Sequence, residues 1–236
     1  MAATAATRVQ PAPGTASPTA RAGPDRRPVL AAAGIAKTYH AGLWPRRRQV
    51  PVLTDATLTL WPGEVVGLIG ENGSGKSTLM KILVGALSRD AGTLQRPARL
   101  GFCPQEPVLY DALTCDEHFD LFGHAYRLAP AAIEQSRAAI YEELGFARYA
   151  RTRVAELSGG TRSKLNLGLA LLPDPDLLLL DEPYAGFDWD TYERFWKLVA
   201  ERKARDRSIL IISHFVADKE RFDRFLTLRE GKTVEQ

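Results

Sequence analysis

The stretch GENGSGKST, residues 70–78, combines three glycines with one lysine and two hydroxyl side chains. Its spacing, G-x-x-x-x-G-K-S, is that of a phosphate-binding loop, in which bare backbone N–H groups wrap an anion because no Cβ intervenes. The preceding EVVGLI is typical of a buried strand, and the following KSTLMKILVGAL places Leu79, Ile82 and Leu83 on one helical face. A simple glycine-rich turn is the alternative, but the strand, lysine, hydroxyl and helix together favour a phosphate site at a helix N-terminus.

The composition of the chain is that of a globular protein. Its 236 residues are 45% apolar and 25% charged, which suits one or two domains with a substantial core. The net charge of +3 is too small to argue for a nucleic-acid partner. Cys103 and Cys115 form neither a disulfide framework nor a metal set, so we interpret them as reduced thiols of a cytosolic protein. No apolar run approaches about 18 residues, so we expect no membrane span.

The first 28 residues differ from the rest of the chain. They are mostly Ala, Pro, Thr, Gly and Arg and contain almost no large apolar side chains. Such a segment cannot bury enough surface to offset its ordering entropy, so residues 1–28 are predicted to be a disordered tail. An organelle transit peptide stays open as an alternative, because the segment carries arginine and is nearly free of acids. Residues 29–236 are predicted to form the folded domain.

Three apolar runs in the folded part each end in reactive groups. VVGLI ends at the phosphate loop, residues 177–180 end at Asp181 and Glu182, and residues 209–212 end at Ser213 and His214. Continuous apolar runs of this length suit strands that are buried on both faces of a parallel sheet. In open α/β sheets the ligand binds outside the carboxyl ends of the strands. The three runs therefore predict an α/β fold with its chemistry gathered at one edge of the sheet.

Two further regions complete the predicted architecture. Residues 56–60 alternate apolar side chains with threonines, which is the pattern of a one-sided antiparallel strand. Pro62 and Gly63 then predict a turn, and a small N-terminal antiparallel β-subdomain is expected to flank the parallel sheet. From Gln105 to about Arg153 the pattern is helical, with Gly145 as a predicted helix stop. We therefore predict an inserted α-helical subdomain over about residues 106–172.

The reactive groups suit transfer of a phosphoryl group. Lys76 can reach the terminal phosphates, and Ser77 can ligate magnesium. Asp181 is suited to hold that ion through water, and Glu182 can orient or deprotonate an attacking water. A strand that simply ends in solvated acids is the alternative for the last two. His214 follows the third strand, where a contact with the γ-phosphate competes with an ordinary surface or core histidine.

LSGGTRSKLNLGLALLPDP suggests a second anion site. Ser158, Gly159 and Gly160 open a helix that is predicted to run until Pro173. A serine cap followed by two glycines leaves a bare helix N-terminus, which attracts anions. The alternative is a helix cap with no further role. The spacing of these residues does not explain why one chain needs two such sites.

The ordered set GENGSGKST, FCPQEP, LSGG, LLLLDEP, AGFD and SH resembles that of the ATP-binding cassette (ABC) ATPases, over roughly residues 29–232. The resemblance implies a phosphate-loop NTPase fold with a mostly parallel core sheet. It also implies a head-to-tail dimer, in which the LSGG helix of one subunit covers the ATP on the phosphate loop of the other. That arrangement would explain the second anion site.

The resemblance also implies a role for each matching residue. Tyr39 is similar to the aromatic residue that stacks on adenine, Glu182 to the catalytic glutamate and His214 to the switch histidine. The residues implied in binding nucleotide are Tyr39, Gly70, Asn72, Gly73, Ser74, Gly75, Lys76, Ser77, Thr78 and Gln105. Those implied in trans are Ser158, Gly159, Gly160 and Asp188, and those implied in holding Mg²⁺ are Ser77, Gln105 and Asp181. The implied cofactors are ATP and Mg²⁺.

Within this family the sequence favours the energising subunit of a membrane transporter. The segment after Gln105 resembles that of export cassettes, so an exporter is expected, with separate integral membrane subunits and a second cassette, identical or not, as partners. The chain would then lie in the cytoplasm, peripheral on the inner face of the cell membrane. A soluble ABC ATPase acting on ribosomes, DNA or cofactor assembly is the alternative, although no nucleic-acid partner is expected.

The chain departs from the family pattern at several points, of which Thr161 and an arginine-rich stretch leave questions about the site and its partners. Thr161 stands where the family usually has glutamine, which puts one contact of the trans site in question. Arg46, Arg47 and Arg48 lie between the first two predicted strands. A solvated loop is one interpretation of these arginines, and contact with nucleotide, lipid headgroups or a partner is the other.

Overall fold

A computed structural model of the chain describes residues 27–42, 48–213 and 219–235. Its strands are β1 (Leu30–Ala41), β2 (Arg48–Leu60), β3 (Val65–Ile69), β4 (Ala91–Gln95), β5 (Leu100–Cys103), β6 (Leu177–Asp181), β7 (Ser208–Ile212), β8 (Arg224–Arg229) and β9 (Lys232–Glu235). Its α-helices are α1 (Lys76–Val84), α2 (Cys115–Ala125), α3 (Pro130–Leu144), α4 (Gly159–Leu171) and α5 (Trp189–Ala204). Most of the predicted tail, His214, Arg46 and Arg47 lie outside the described residues.

The strands form one sheet in the order β4-β1-β2-β9-β8-β3-β7-β6-β5. β8, β3, β7, β6 and β5 are parallel neighbours, which confirms the predicted parallel core. β1 pairs antiparallel with both β2 and β4, as expected for the N-terminal β-subdomain. A single parallel register pair, Asp55 with Lys232, joins β2 to β9 and makes the two parts continuous.

The apolar runs are unbroken because each parallel strand contributes to a core on both faces of the sheet. In β7, Ile209 and Ile211 enter one core, whereas Leu210 and Ile212 enter the other. The first core also holds side chains of α4 and α5, and the second holds those of α1 and β2. Since alternate side chains of a strand point to opposite faces, only a strand covered on both sides needs apolar residues at every position.

Helices α2, α3 and α4 form the region in which the sequence predicted a helical subdomain. α2 begins with a capping box in which Thr114 and Glu117 satisfy each other's backbone amides. α3 ends at Leu144, and its C-cap Gly145, with φ 65°, confirms the predicted stop. α4 ends at Leu171, with Leu172 as its C-cap, just before Pro173. The exact bounds of the subdomain stay a prediction.

Helix α4 approaches β5 closely. A Cβ on Gly101 of β5 would lie 2.1 Å from the carbonyl oxygen of Ala170, so only glycine permits this packing.

Both cysteines are free and buried, and burial raises the pKa of the Cys115 thiol to about 11 and that of Cys103 still further. Among the described ranges, no helix is long and apolar enough to cross a lipid bilayer.

Candidate nucleotide-binding site

The ends of β3, β6 and β7 meet at one edge of the sheet, as the sequence predicted. The amide of Ser213, which follows β7, donates to the carbonyl of Leu68 in β3 at 3.4 Å. The amide of Glu182, which follows β6, donates to the carbonyl of Ile212 in β7 at 3.1 Å. The residues that follow β6 and β7 are thus each hydrogen-bonded to the end of the neighbouring strand.

The phosphate loop joins β3 to α1 through two glycines that no other residue could replace without strain. Gly73 has φ 80°, and nothing in the described structure lies within 4 Å of where its Cβ would stand. Gly75 has φ 104°, and its Cβ would lie 3.0 Å from Val52 Cγ1 and 3.2 Å from the Val52 carbonyl oxygen. Gly75 is also the N-cap of α1, where no side chain of the described residues accepts from the first amides. The loop therefore presents a bare, open helix N-terminus that suits an anion.

Lys76 connects this loop to the acids at the end of β6. Its Nζ donates to the carbonyl oxygens of Gly70 at 2.7 Å and of Glu71 at 2.9 Å, and only 7% of the residue is exposed. Burial lowers the pKa of Lys76, and the nearby carboxylates of Glu182 and Asp181 oppose that shift. Lysine and both acids therefore lie within electrostatic reach of one another.

Asp181 and Glu182 are adjacent but occupy different environments. Asp181 is the last residue of β6 and is 5% exposed, whereas Glu182 is half-buried. Glu182 has φ 50°, in the left-handed region that non-glycine residues rarely adopt. Backbone strain of this kind costs about 1–3 kcal/mol and clusters at active sites. The strained turn makes Glu182 a candidate for a functional role distinct from that of Asp181.

The proposed magnesium ligands offer only oxygen atoms, which are the donors that Mg²⁺ prefers. Asp181 supplies a buried carboxylate, whereas Ser77 and Gln105 are exposed. No group of three or more His, Cys, Asp or Glu side chains that could hold a metal occurs among the described residues. This donor set therefore fits an ion that takes most of its ligands from phosphate oxygens and water, as Mg²⁺ does.

Tyr39 lies beside the start of α1. Its side chain is on β1, the residue is 40% exposed, and its hydroxyl is 3.5 Å from the Thr78 hydroxyl. Ser74 in the phosphate loop has a buried hydroxyl without a hydrogen-bond partner in the described structure. The exposed tyrosine ring next to the loop is suitably placed for a base whose phosphates the loop holds.

The LSGG residues lie at the N-terminus of α4, next to the segment that follows Glu182. Ser158 is the N-cap, and its hydroxyl accepts from the Thr161 amide. A Cβ on Gly160 would lie 2.7 Å from the Gly186 carbonyl oxygen, whereas a Cβ on Gly159 would meet nothing within 4 Å in the described structure. Gly160 is therefore needed for packing, and Gly159 leaves the helix end open.

Asp188, predicted to act in trans, caps α5. Its carboxylate accepts from the Thr191 amide at 2.8 Å, and hydrogen bonds from Thr191 lower the pKa of Asp188. The acid therefore stays ionised at neutral pH, on the same segment that packs against Gly160.

Sequence reasoning missed two polar contacts that hold the site. Asn166 on α4 donates from Nδ2 to the Pro104 carbonyl at 2.8 Å, which ties this helix to the residue before Gln105. The Tyr184 hydroxyl donates to Ser213 Oγ and links the ends of β6 and β7. An asparagine within the apolar face of a helix was the available signal for the first contact, whereas nothing in the sequence pairs Tyr184 with Ser213.

The fold and the site define a nucleotide-binding ATPase cassette of the phosphate-loop class. The sequence profile of the ABC transporter family matches residues 53–185. The chain belongs to the ABC transporter family, as the order of its motifs predicted.

Curated relatives agree with this assignment. The chain is 36% identical to the Nod factor export ATP-binding protein I of Paraburkholderia xenovorans (strain LB400), over 73% of this chain and 61% of that protein. It is 32% identical to the protein of the same name from Rhizobium johnstonii, over 86% of this chain and 67% of that protein. The chain thus spans about two thirds or less of the length of these relatives.

Solved structures share the fold. An ATP-binding subunit of an ABC transporter is 30% identical, with a TM-score of 0.76 over 88% of this chain and 89% of that one. A dimeric ATP-binding cassette in a post-hydrolysis state, bound to ADP and Pi, is 21% identical, with a TM-score of 0.79 over 88% of this chain and 97% of that one.

Proposed function

We propose that the chain binds ATP with Mg²⁺, dimerises around two ATP molecules and hydrolyses them to power export through separate membrane subunits. The observation that carries this proposal is the juxtaposition of Lys76, which follows β3, with Asp181 and Glu182 at the end of β6, two parallel strands that β7 separates in the sheet. Phosphoryl transfer needs mainly positioning and neutralisation of charge, which these groups supply together.

In the proposed reaction each group has one task. Lys76 exchanges its two loop carbonyls for phosphate oxygens and neutralises charge that develops as the γ-phosphoryl group departs. Mg²⁺, when held through Ser77, Asp181 and Gln105, supplies further charge neutralisation on the phosphates. Glu182 accepts a proton from the attacking water, whose oxygen forms a new bond to phosphorus while the bond to ADP breaks.

The dimer is proposed because α4 offers, besides α1, a second helix N-terminus with glycine at its first positions, where an anion could bind. The N-terminus of α1 belongs to the phosphate loop of the same chain. The N-terminus of α4, which is open at Gly159, is left for the ATP of a second cassette. Gly160 and Asp188 lie on the two segments that pack together there, so both would be near the same nucleotide.

Export is proposed from the names of the relatives, which are export ATP-binding proteins. We infer that membrane subunits on separate chains form the pathway and that this chain binds them at the inner face of the cell membrane. Copurification of an integral membrane protein with the tagged chain from its native cells tests this part of the proposal.

The chemistry is tested with a matched pair of variants. Glu182→Gln keeps the shape of the side chain and removes the proton acceptor, so turnover is expected to fall by ~10²–10⁴-fold while ATP binding persists. Asp181→Asn is expected to weaken binding of Mg²⁺-ATP as well as turnover.

Size-exclusion chromatography completes the test. With ATP and Mg²⁺ the Glu182→Gln variant is expected to elute as a dimer, because the nucleotide that holds the two chains together is no longer consumed. Wild-type turnover in Glu182→Gln would mean that another group accepts the proton. A monomer with bound ATP would contradict the composite site.

A further inference from the structure

Thr161 contacts Ser158 through both its backbone and its side chain. Its amide donates to Ser158 Oγ at 3.3 Å, and its own hydroxyl oxygen lies 3.0 Å from the same atom. Thr161 is only 6% exposed, whereas Ser158 is exposed at the start of α4. In the described part of the chain, Ser158 Oγ is the only hydrogen-bond partner of the Thr161 hydroxyl.

Counting protons orients this pair of hydroxyls. A buried hydroxyl needs an acceptor for its proton, and among the described residues the only one available to Thr161 is Ser158 Oγ. Ser158 Oγ then accepts two hydrogen bonds, from the amide and from the hydroxyl of Thr161, which fills both of its lone pairs. With Thr161 as the donor of this pair, the Ser158 proton has no acceptor within it and points outward, away from the helix.

We infer that Thr161 is a positioning residue that makes the Ser158 hydroxyl an obligate donor toward the ATP of the opposing subunit. The inference rests on the proposed function, in which Ser158 acts in trans. A phosphate at the end of α4 can only accept hydrogen bonds, so it can bond to Ser158 only when the Ser158 proton points outward. Thr161, although shorter than the family's glutamine, would thus serve the trans site without touching the nucleotide.

The test measures ATP-induced dimerisation in the Glu182→Gln background by sedimentation velocity with ATP and Mg²⁺. Thr161→Val keeps the branched shape and removes the hydroxyl, so the Ser158 proton is no longer directed outward. Losing one net hydrogen bond lowers an equilibrium constant by roughly two- to tenfold, so a homodimer with two such sites should dissociate about four- to 100-fold more readily. Thr161→Ser, which keeps the hydroxyl, should stay close to the parent.

Two measurements separate positioning from folding. The affinity of each variant chain for ATP under monomeric conditions should not change, because Thr161 lies on α4 and not on the phosphate loop of its own chain. The effect of Thr161→Val should disappear in a Ser158→Ala background, because it acts through Ser158. If Thr161→Val lowers the midpoint of thermal unfolding, the same comparison with and without Ser158→Ala is repeated with Thr161→Ala, which lacks the added methyl group.

The outcomes distinguish this inference from the proposed function. A Glu182→Gln parent that does not dimerise with ATP contradicts the function itself. A parent that dimerises, with Thr161→Val dimerising as well or better, means that Ser158 donates to Thr161 and overturns the inference alone. An equal loss with Ser158→Ala in place would likewise overturn it, because Thr161 would then act through packing.

Discussion

Gly159 and Gly160 are adjacent at the start of α4, but an added methyl group would meet different surroundings at each. On Gly160 it would lie 2.7 Å from the carbonyl oxygen of Gly186, a backbone atom that cannot rotate away. On Gly159 it would meet nothing within 4 Å in the described structure. Gly160→Ala and Gly159→Ala therefore form a matched pair that separates packing from function.

The difference between the two variants isolates the steric clash. Both replace glycine by alanine in a helix, which is worth up to about 1 kcal/mol in favour of alanine. Overpacking costs typically ~1–3 kcal/mol, and only Gly160→Ala incurs it. Because 1 kcal/mol shifts the midpoint of a domain this large by about 2–4 °C, Gly160→Ala should melt roughly 2–12 °C below Gly159→Ala.

Thermal unfolding followed by circular dichroism measures this difference, and ATP turnover measures function in the same preparations. Gly159→Ala should fold at least as stably as the wild type, since its methyl group points into open space. If the ATP of a second subunit occupies that space, as proposed, the same variant should nevertheless lose most of its ATPase activity.

Either measurement can refute the reasoning. Equal melting temperatures for the two variants would mean that α4 does not pack against Gly186 as closely as described. Full ATPase activity in Gly159→Ala would mean that the open end of α4 faces no nucleotide.

Three further predictions follow from contacts at the site. Tyr39→Ala should weaken ATP binding by roughly 1–3 kcal/mol if the ring stacks on adenine; an unchanged dissociation constant in calorimetry would remove it from the site. Asn166→Leu should lower the free energy of unfolding by about 1–3 kcal/mol because the Pro104 carbonyl loses its donor; an unchanged urea midpoint would contradict this. Mixing Lys76→Ala and Ser158→Arg chains should restore part of the activity, since one composite site keeps both motifs; inactive heterodimers would mean that the sites are not composite or depend on each other.

Local pattern was sufficient for the architecture. The unbroken apolar runs before Gly70, Asp181 and Ser213 predicted parallel strands because only a doubly covered strand is apolar at every position. The spacing of the phosphate loop predicted its turn and helix because glycine and lysine act through their immediate backbone neighbours. The family likewise followed from the order of short motifs along the chain.

Sequence pattern alone does not give the functional role of each site residue. The tasks of Tyr39, Gln105 and Asp188 were implied by resemblance and stay predictions, as does that of His214, which lies outside the described residues. The structure adds where the described side chains lie, and the experiments above test the chemistry of each.

What the sequence determined by itself is the set of elements and the edge of the sheet at which their reactive ends gather, because both depend on periodicity and short spacing. Tertiary structure alone decided which distant groups come together. Gly160 packs against the Gly186 carbonyl, Asn166 donates to the Pro104 carbonyl, and Glu182 lies within electrostatic range of Lys76. The paired residues are 26 to 106 positions apart, as the differences 186 − 160 and 182 − 76 show. No local pattern encodes them, because they depend on how helices pack on the sheet and how close two backbones come.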